Sequence, residues 1–484
     1  MSLKTRFLHG GLVLSAGYAI QQAVLFVRNV MIARLVGPED FGIVVTFLIL
    51  IYALEMASDL GVELYLIRAP NGDKPIVQST LHTVLVVRGI VLGLIVLLAA
   101  DLTAWFFNTP EAAWAYRSLA VVPVIKGFLH LDVRRLQRQL VYFPTVNVLL
   151  SGTLASTAVA ITLAYFWRSY EAMVWAYIAE PVAMVLASHI FAKRDYRFDT
   201  AKVELRSLLK YGWPLMLNGL ALFLMSQGDR AIIGSRLGVT DLANYAVAAL
   251  LTAGPTALII KVSGALFLPL LSSDDSSSST FARRYDWCGA LTALSAFPVV
   301  ILLAFYGAPL ADILYGEKYD ISVFVMAWLA AGAGARILRS WPQAAALAVG
   351  STGDVLIANA LPTLGFLAAV LSLQFNFGAV GVAVSITLGE IIALFFALER
   401  SDRQAIEGRR EGRKLGILFL LLAASCIAAI TLFQPGWTSM PLFFSALILL
   451  SLAFGGVLLV SNSIRSWLVR AVRILRGGGI KTIL

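Results

Sequence analysis

Apolar runs of bilayer length recur along almost the whole of this sequence. A hydrocarbon core is about 30 Å thick and a helix rises about 1.5 Å per residue, so about 20 consecutive apolar residues cross it. Such runs lie near 10–35, 41–67, 78–105, 112–131, 144–167, 171–191, 211–235, 243–271, 285–307, 322–349, 353–373, 378–398, 414–433 and 440–461. Inside lipid every backbone N–H and C=O must be bonded within the protein, and runs this long satisfy that as helices. The spacing therefore predicts an all-α polytopic membrane protein of about fourteen transmembrane helices. The chain has 484 residues, 59% of them hydrophobic and only 14% charged, which fits no soluble globular class. Lys4 and Arg6 precede the first run as they would in a signal peptide. The run then continues to Arg28 with no small-residue cleavage site, so it reads as a span.

Charge orients these spans. With the N-terminus in the cytoplasm, 26 of the 38 lysines and arginines fall in cytoplasmic segments, five in outer loops and seven within spans. A bias that alternates loop by loop follows the positive-inside rule and places both termini in the cytoplasm, with an even number of spans. It also accounts for the net charge of +10 without nucleic acid as a partner. The organisation expected is an N-terminal lobe over 1–191, a basic linker over 192–210 and a second lobe over 211–398. A charged linker over 399–413, two further helices within 414–461 and a basic tail over 462–484 complete it. Residues 201–210 read as a short amphipathic helix in the membrane interface, and the arginines of 464–476 should lie on anionic lipids.

A repeat appears among the charges inside the spans. Arg28 is followed six residues on by Arg34 and then by Glu39 and Asp40; Arg230 is followed by Arg236 and then by Asp241. Paired halves with matching charged helices are a common transporter plan, with the substrate site between them. Arg28 and Arg230 each sit about 27 Å along a helix that enters from the cytoplasm, so they match in depth. Arg336 and Arg339 lie on adjacent turns near mid-depth of the tenth span, and Lys261 lies in the eighth. A guanidinium in a low-dielectric cavity keeps its charge and binds phosphate through two N–H donors. Arg28, Arg230, Arg336, Arg339 and Lys261 are thus the candidates for an anionic headgroup, most simply a diphosphate. Glu55, Asp59 and Glu63 recur every four residues, as one stripe on the second span. Arg88, about 15 Å deep, is level with Glu55 and Asp59 and is placed for an ion pair between spans 2 and 3. Glu55, Asp59, Arg88, Glu180 and Glu390 are the candidates for ion pairing or for proton or sodium coupling.

Nothing here asks for a cofactor. Cys288 and Cys426 both lie in apolar spans and frame no disulfide, and His9, His82, His130 and His189 are scattered without metal-ligand spacing. Outer loops are short, the longest running 308–321, which leaves little room for the catalytic groups of a membrane polysaccharide polymerase or ligase.

The stretch Ala33-Arg34-Leu35-Val36-Gly37-Pro38-Glu39-Asp40-Phe41-Gly42, followed by Asp59-Leu60-Gly61, resembles the opening of bacterial polysaccharide-transporter flippases. These belong to the multidrug/oligosaccharidyl-lipid/polysaccharide exporter superfamily. Gly228-Asp229-Arg230-Ala231-Ile232-Ile233-Gly234, with Leu237-Gly238 and Asn244-Tyr245, is similar to that family's second-lobe opening. Asn244 stands where the family often has glycine, and residues 350–354 lack its usual Gly-Arg. The resemblance implies two pseudo-symmetric six-helix lobes, an alternating central cavity and two extra C-terminal helices in the bacterial inner membrane. It implies as substrate a polyprenyl-diphosphate-linked oligosaccharide, moved from the cytoplasmic to the outer leaflet, and as candidate partners a polysaccharide polymerase and the export machinery. A peptidoglycan-precursor flippase or a multidrug exporter of the same superfamily are the alternatives.

Overall fold

The computed structural model of the protein describes residues 3–272, 278–404, 411–432 and 440–460, and among these all regular structure is helical. The helices are α1 (Leu3–Leu35), α2 (Pro38–Ala57), α3 (Val62–Arg68), α4 (Pro75–Phe106), α5 (Ala113–Ser118), α6 (Val121–Gly127) and α7 (Asp132–Arg138). They continue as α8 (Phe143–Trp167), α9 (Glu171–Phe191), α10 (Lys202–Leu237), α11 (Val239–Ser272), α12 (Ser279–Tyr315) and α13 (Val323–Ala348). The last are α14 (Thr352–Ala360), α15 (Pro362–Gln374), α16 (Gly378–Gln404), α17 (Glu411–Leu432) and α18 (Met440–Val460). Among the described residues, twelve helical segments are long and apolar enough to cross a membrane. The chain divides into two compact units, residues 1–243 and 244–484.

The expected spans that are not single long helices are broken for identifiable reasons. In 41–67 the helix stops at Ala57 and restarts at Val62, so Glu55, Asp59 and Glu63 do not share one helical stripe. In 112–131 a 3-10 turn over Pro110–Ala112 leads into α5, and α6 follows after a second break. Pro123 has no N–H to give to the Leu119 carbonyl, which accepts the Val122 N–H instead, at 3.0 Å. Residues 202–210 are not a separate interfacial helix. They form the first turns of α10, which runs on for 36 residues, Pro214 removing only one internal bond. The tail arginines of 464–476 lie outside the described residues.

In the first unit α1 packs on α8, α8 on α9, α4 on α6, and α10 on α2. Glycine makes several of these approaches possible. A Cβ on Gly219 of α10 would stand 2.0 Å from the Met56 carbonyl, and one on Gly89 of α4 would stand 2.5 Å from that of Pro123. In the second unit α13 is the central helix, packed on α12, α16 and α17. It buries Ala330, Ala333, Ile337 and Trp341, each 1% exposed or less.

Candidate functional site

The break between α2 and α3 builds a polar cavity in the first unit. Ser58 ends α2 by returning both its N–H and its hydroxyl to the Leu54 carbonyl. The Asp59 carboxylate accepts the Gly61 N–H at 2.8 Å, closing a short turn that Gly61 completes in the left-handed region at φ +62°. The Gly61 carbonyl then accepts the Tyr65 N–H and α3 begins. This turn faces α4 and α6 across a cavity of about 320 Å³ lined by Glu55, Asp59, Glu63, Arg88 and Lys126. Arg88 and Lys126 follow directly from the backbone contact of α4 with α6, since each precedes a contact glycine, Gly89 or Gly127.

Charges in this cavity pair differently from the sequence expectation. Arg88 donates to Ser58 Oγ at 2.9 Å and to the Glu55 carbonyl at 3.1 Å. It therefore caps the C-terminus of α2, where a cation meets unfilled carbonyls and the negative end of the helix dipole. No direct Arg88–Asp59 ion pair occurs among the described residues. Lys126 pairs with Glu55 instead, and Arg134 holds Glu63 at 2.6 Å. Spacing could not show the first of these, because Glu55 and Lys126 are 71 positions apart on separately broken spans.

Arg28 lies elsewhere in the same unit, 5% exposed on α1. Its guanidinium donates to Ser156 Oγ of α8 at 2.5 Å and lies 3.7 Å from Glu180 of α9. About two turns earlier on α1, Gln21 repeats the link to α8 by donating to Thr153 at 3.2 Å. Arg230 on α10 reaches the neutral amide of Gln227 at 3.0 Å, and its Nε is buried without a hydrogen-bond partner. The Asp229 carboxylate accepts the Arg230 main-chain N–H at 2.8 Å.

In the second unit Arg339 of α13 is held on both sides. Its Nη2 lies 3.0 Å from Glu390 of α16, and its Nη1 donates at 2.5 Å to the Ala358 carbonyl of α14. That carbonyl would ordinarily accept the N–H four residues on, but position 362 is proline, so the guanidinium fills the gap. Glu390 reaches α13 because α15 and α16 touch backbone to backbone beside it. A Cβ on Gly389 would stand 2.9 Å from Gly365 Cα. Arg336 shares the same carboxylate at 4.0 Å, and its side chain is 36% exposed against 9% for Arg339. Lys261 lies exposed on α11. Each unit thus has one deeply buried arginine on a glutamate, Arg28–Glu180 and Arg339–Glu390. Arg230 and Arg336 hold weaker partners, a neutral amide and a carboxylate at 4.0 Å, and the Nε of all four arginines is buried without a hydrogen-bond partner.

Sequence reasoning also missed a constellation. Three histidines that look scattered in the sequence come together at one end of the first unit. The ring centroids of His82 and His130 are 5.0 Å apart and those of His130 and His189 are 5.1 Å apart. No sequence spacing signals this, because the three arrive from α4, from the turn before α7 and from α9. Among the described residues no group of histidine, cysteine and acidic side chains is arranged to hold a metal ion.

Residues 31–324, more than half of the chain, match the family model described as polysaccharide biosynthesis protein. The chain belongs to the polysaccharide biosynthesis protein family. Lipopolysaccharide biosynthesis protein WzxC of Escherichia coli (strain K12) is 21% identical over 399 residues, 81% of this chain and 80% of that protein. Succinoglycan biosynthesis transport protein ExoT of Rhizobium meliloti (strain 1021) is 22% identical over 317 residues, 64% of this chain and 62% of that protein. Among solved structures, the lipid II flippase MurJ in an inward closed conformation superposes with a TM-score of 0.69 at 14% identity, covering 95% of this chain and all of that one. An inward-facing multidrug resistance transporter of the MATE family, of the MOP superfamily, gives 0.65 at 16% identity over 82% of this chain and 98% of its own. Those two likenesses concern the fold. This member of the polysaccharide biosynthesis protein family is a multi-pass helical membrane protein.

Proposed function

We propose that the protein is a flippase that carries polyprenyl-diphosphate-linked oligosaccharide repeat units from the cytoplasmic to the outer leaflet, for O-antigen, capsule or exopolysaccharide assembly. The observation that carries this reading is the set of arginines within membrane helices, above all the half-buried Arg230 and Arg336, whose guanidinium groups are held only by a neutral amide at 3.0 Å and by a carboxylate at 4.0 Å. A diphosphate suits such a group because one guanidinium fork donates to two phosphate oxygens. Arg28, Arg339 and Lys261 would complete the cationic path, with Glu180 and Glu390 as the internal anions that hold Arg28 and Arg339 when substrate is absent. Alternating access would move the lobes over 1–191 and 211–398. The protein would sit in the bacterial inner membrane with both termini cytoplasmic, among anionic lipids, and hand its cargo to a polysaccharide polymerase and export machinery. Glu55, Asp59, Glu180 and Glu390, with Arg88, are the groups through which a proton or sodium gradient would act. Transport assayed with the proton gradient collapsed and the potential held separates that from drive by membrane potential on an anionic substrate.

The fold likeness to the lipid II flippase favours one second reading, transport of a peptidoglycan precursor. Both readings are tested by locating the lipid-linked glycan that accumulates in cells lacking the chain. Single repeat units on the cytoplasmic leaflet support the flippase, and lipid-linked peptidoglycan precursor there supports the second reading. Single units on the outer leaflet overturn both. In complemented cells, Arg336→Ala and Arg230→Ala should each lower export about tenfold or more, as loss of a charged hydrogen-bond donor worth about 1.5–3 kcal/mol implies. Full export from both variants at normal expression would remove the arginines from the mechanism.

A further inference from the structure

The histidine constellation does not belong to any of the charged sites above, and the segment it grips joins α9 to α10. His82 and His130 are 1% and 2% exposed. Each is locked as one neutral tautomer by its two hydrogen bonds. His82 Nε2 accepts the Leu131 N–H at 3.1 Å, which leaves Nδ1 to donate to the Arg197 carbonyl at 3.2 Å. His130 Nδ1 accepts the Asp132 N–H at 3.1 Å, which leaves Nε2 to donate to the Arg194 carbonyl at 3.0 Å. One nitrogen of each ring faces an N–H, so a cationic imidazole, with donors on both nitrogens, cannot fit. The third ring, His189, is exposed, donates to its own helix at Val185 and lies against the ring of Tyr196 at 5.1 Å. Tyr196 stacks on His82 at 4.2 Å and sits edge-on to His130 at 5.4 Å. Both carbonyls that receive histidine protons, and the stacked tyrosine, belong to the segment 192–201.

We propose that His82 and His130 form a proton-released clasp, which docks the segment 192–201 while the two imidazoles are neutral and lets it go when they charge. Two consequences of protonation act together. The N–H of Leu131 and that of Asp132 each lose their acceptor and meet a donor, and the His82 and His130 rings, 5.0 Å apart, become cations that repel. The charged groups facing the clasp do not offset this. From α7, the Asp132 carboxylate is committed to Arg135 at 2.5 Å and to the Lys193 N–H at 2.8 Å. From the segment itself come the cations Arg194 and Arg197, with Arg194 bonded to the Asp73 carbonyl and Arg197 to Asp195. From α4 the neighbours are neutral: Gln78, Thr80 and Thr83, which also bond the segment at Arg194, Ala201 and Asp199. Burial, and then His189, push the His130 imidazole below its ordinary value of 6.5. The sign follows from linkage. A base held neutral when docked contributes its full stabilisation above its undocked value and loses it as pH falls below that value. Release would free the start of α10, the helix that packs on α2 and carries Arg230.

The test is hydrogen exchange of the segment 192–201 in the full chain reconstituted in lipid nanodiscs, corrected for the intrinsic pH dependence of exchange. Protection should be high at about pH 7.5 and fall roughly tenfold or more by about pH 5.5, across the ordinary histidine range. Glutamine offers one acceptor and one donor but takes no proton. In the double variant His82→Gln/His130→Gln the protection should therefore be flat over the same window. Wild-type protection that does not change with pH overturns the proposal without any variant. A double variant that opens at low pH as wild type does overturns it too, by placing the response in another group. Tyr196→Phe keeps the stack and should behave as wild type, since the Tyr196 hydroxyl is buried with no hydrogen-bond partner.

Discussion

At the scale of single residues, buried charge is the organising quantity. Glu390 is 6% exposed and the Arg339 it holds is 7% exposed. Removing one partner of such a pair strands the other in low dielectric, at a cost of about 3–5 kcal/mol. Glu390→Ala should therefore lower the thermal midpoint of the purified protein markedly, and adding Arg339→Met should recover most of the loss. Equal midpoints for single and double variants would mean the pair is not coupled. A second titration lies at the edge of the histidine clasp. Burial opposes ionisation of Asp132, but Arg135 and the Lys193 N–H outweigh it and hold the carboxyl below its ordinary 3.8. A depressed acid stabilises the structure above its ordinary value and loses that contribution as pH falls through the lowered one. Unfolding followed against pH should thus show an acid limb below about pH 3.8 that Asp132→Asn removes, well separated from the histidine range.

At the scale of elements, the breaks in helices place the charges. Ser58, Asp59 and Gly61 turn the chain between α2 and α3, and that turn gives Arg88 the helix end it caps. Gly61 adopts φ +62°, and a Cβ there would meet Leu215 Cδ1 at 2.4 Å. Gly61→Ala should cost about 1–2 kcal/mol from backbone strain alone, read as a lower thermal midpoint. Loss of the turn should also move Arg88 from Ser58, so Ser58→Ala and Gly61→Ala should be less than additive. The motif Asp59-Leu60-Gly61, legible in the sequence as a family resemblance, is in physical terms a side-chain-bonded turn followed by a left-handed glycine. The pairing of Glu55 with Lys126 was not legible. It depends on α6 meeting α4 through Gly127 and Gly89 and on α2 ending beside them, and apolar periodicity carries no record of such a meeting.

At the scale of the whole molecule, the alternating distribution of lysine and arginine predicts sidedness. Cys288 and Cys426 are buried, so single cysteines introduced elsewhere can be labelled against a low background. Asn108→Cys should react with a membrane-impermeant thiol reagent in intact cells, and Asp199→Cys only after permeabilisation. The opposite pattern would invert the topology, and with it the direction assigned to transport.

The sequence by itself determined that this chain is a polytopic helical membrane protein and which side chains would be charged within its spans. Both follow from local properties: the length of an apolar run, and the high cost of placing a charge there without a reason. It also carried, by resemblance, the family. Only the tertiary structure decided how the charges are matched. Arg28 meets Glu180, Arg339 fills the carbonyl that Pro362 leaves open, and Lys126 takes Glu55. Three histidines from distant positions close on one segment. These pairings depend on which helix faces which. That is set by packing between helices, and residues far apart in the chain share no periodicity that would reveal it.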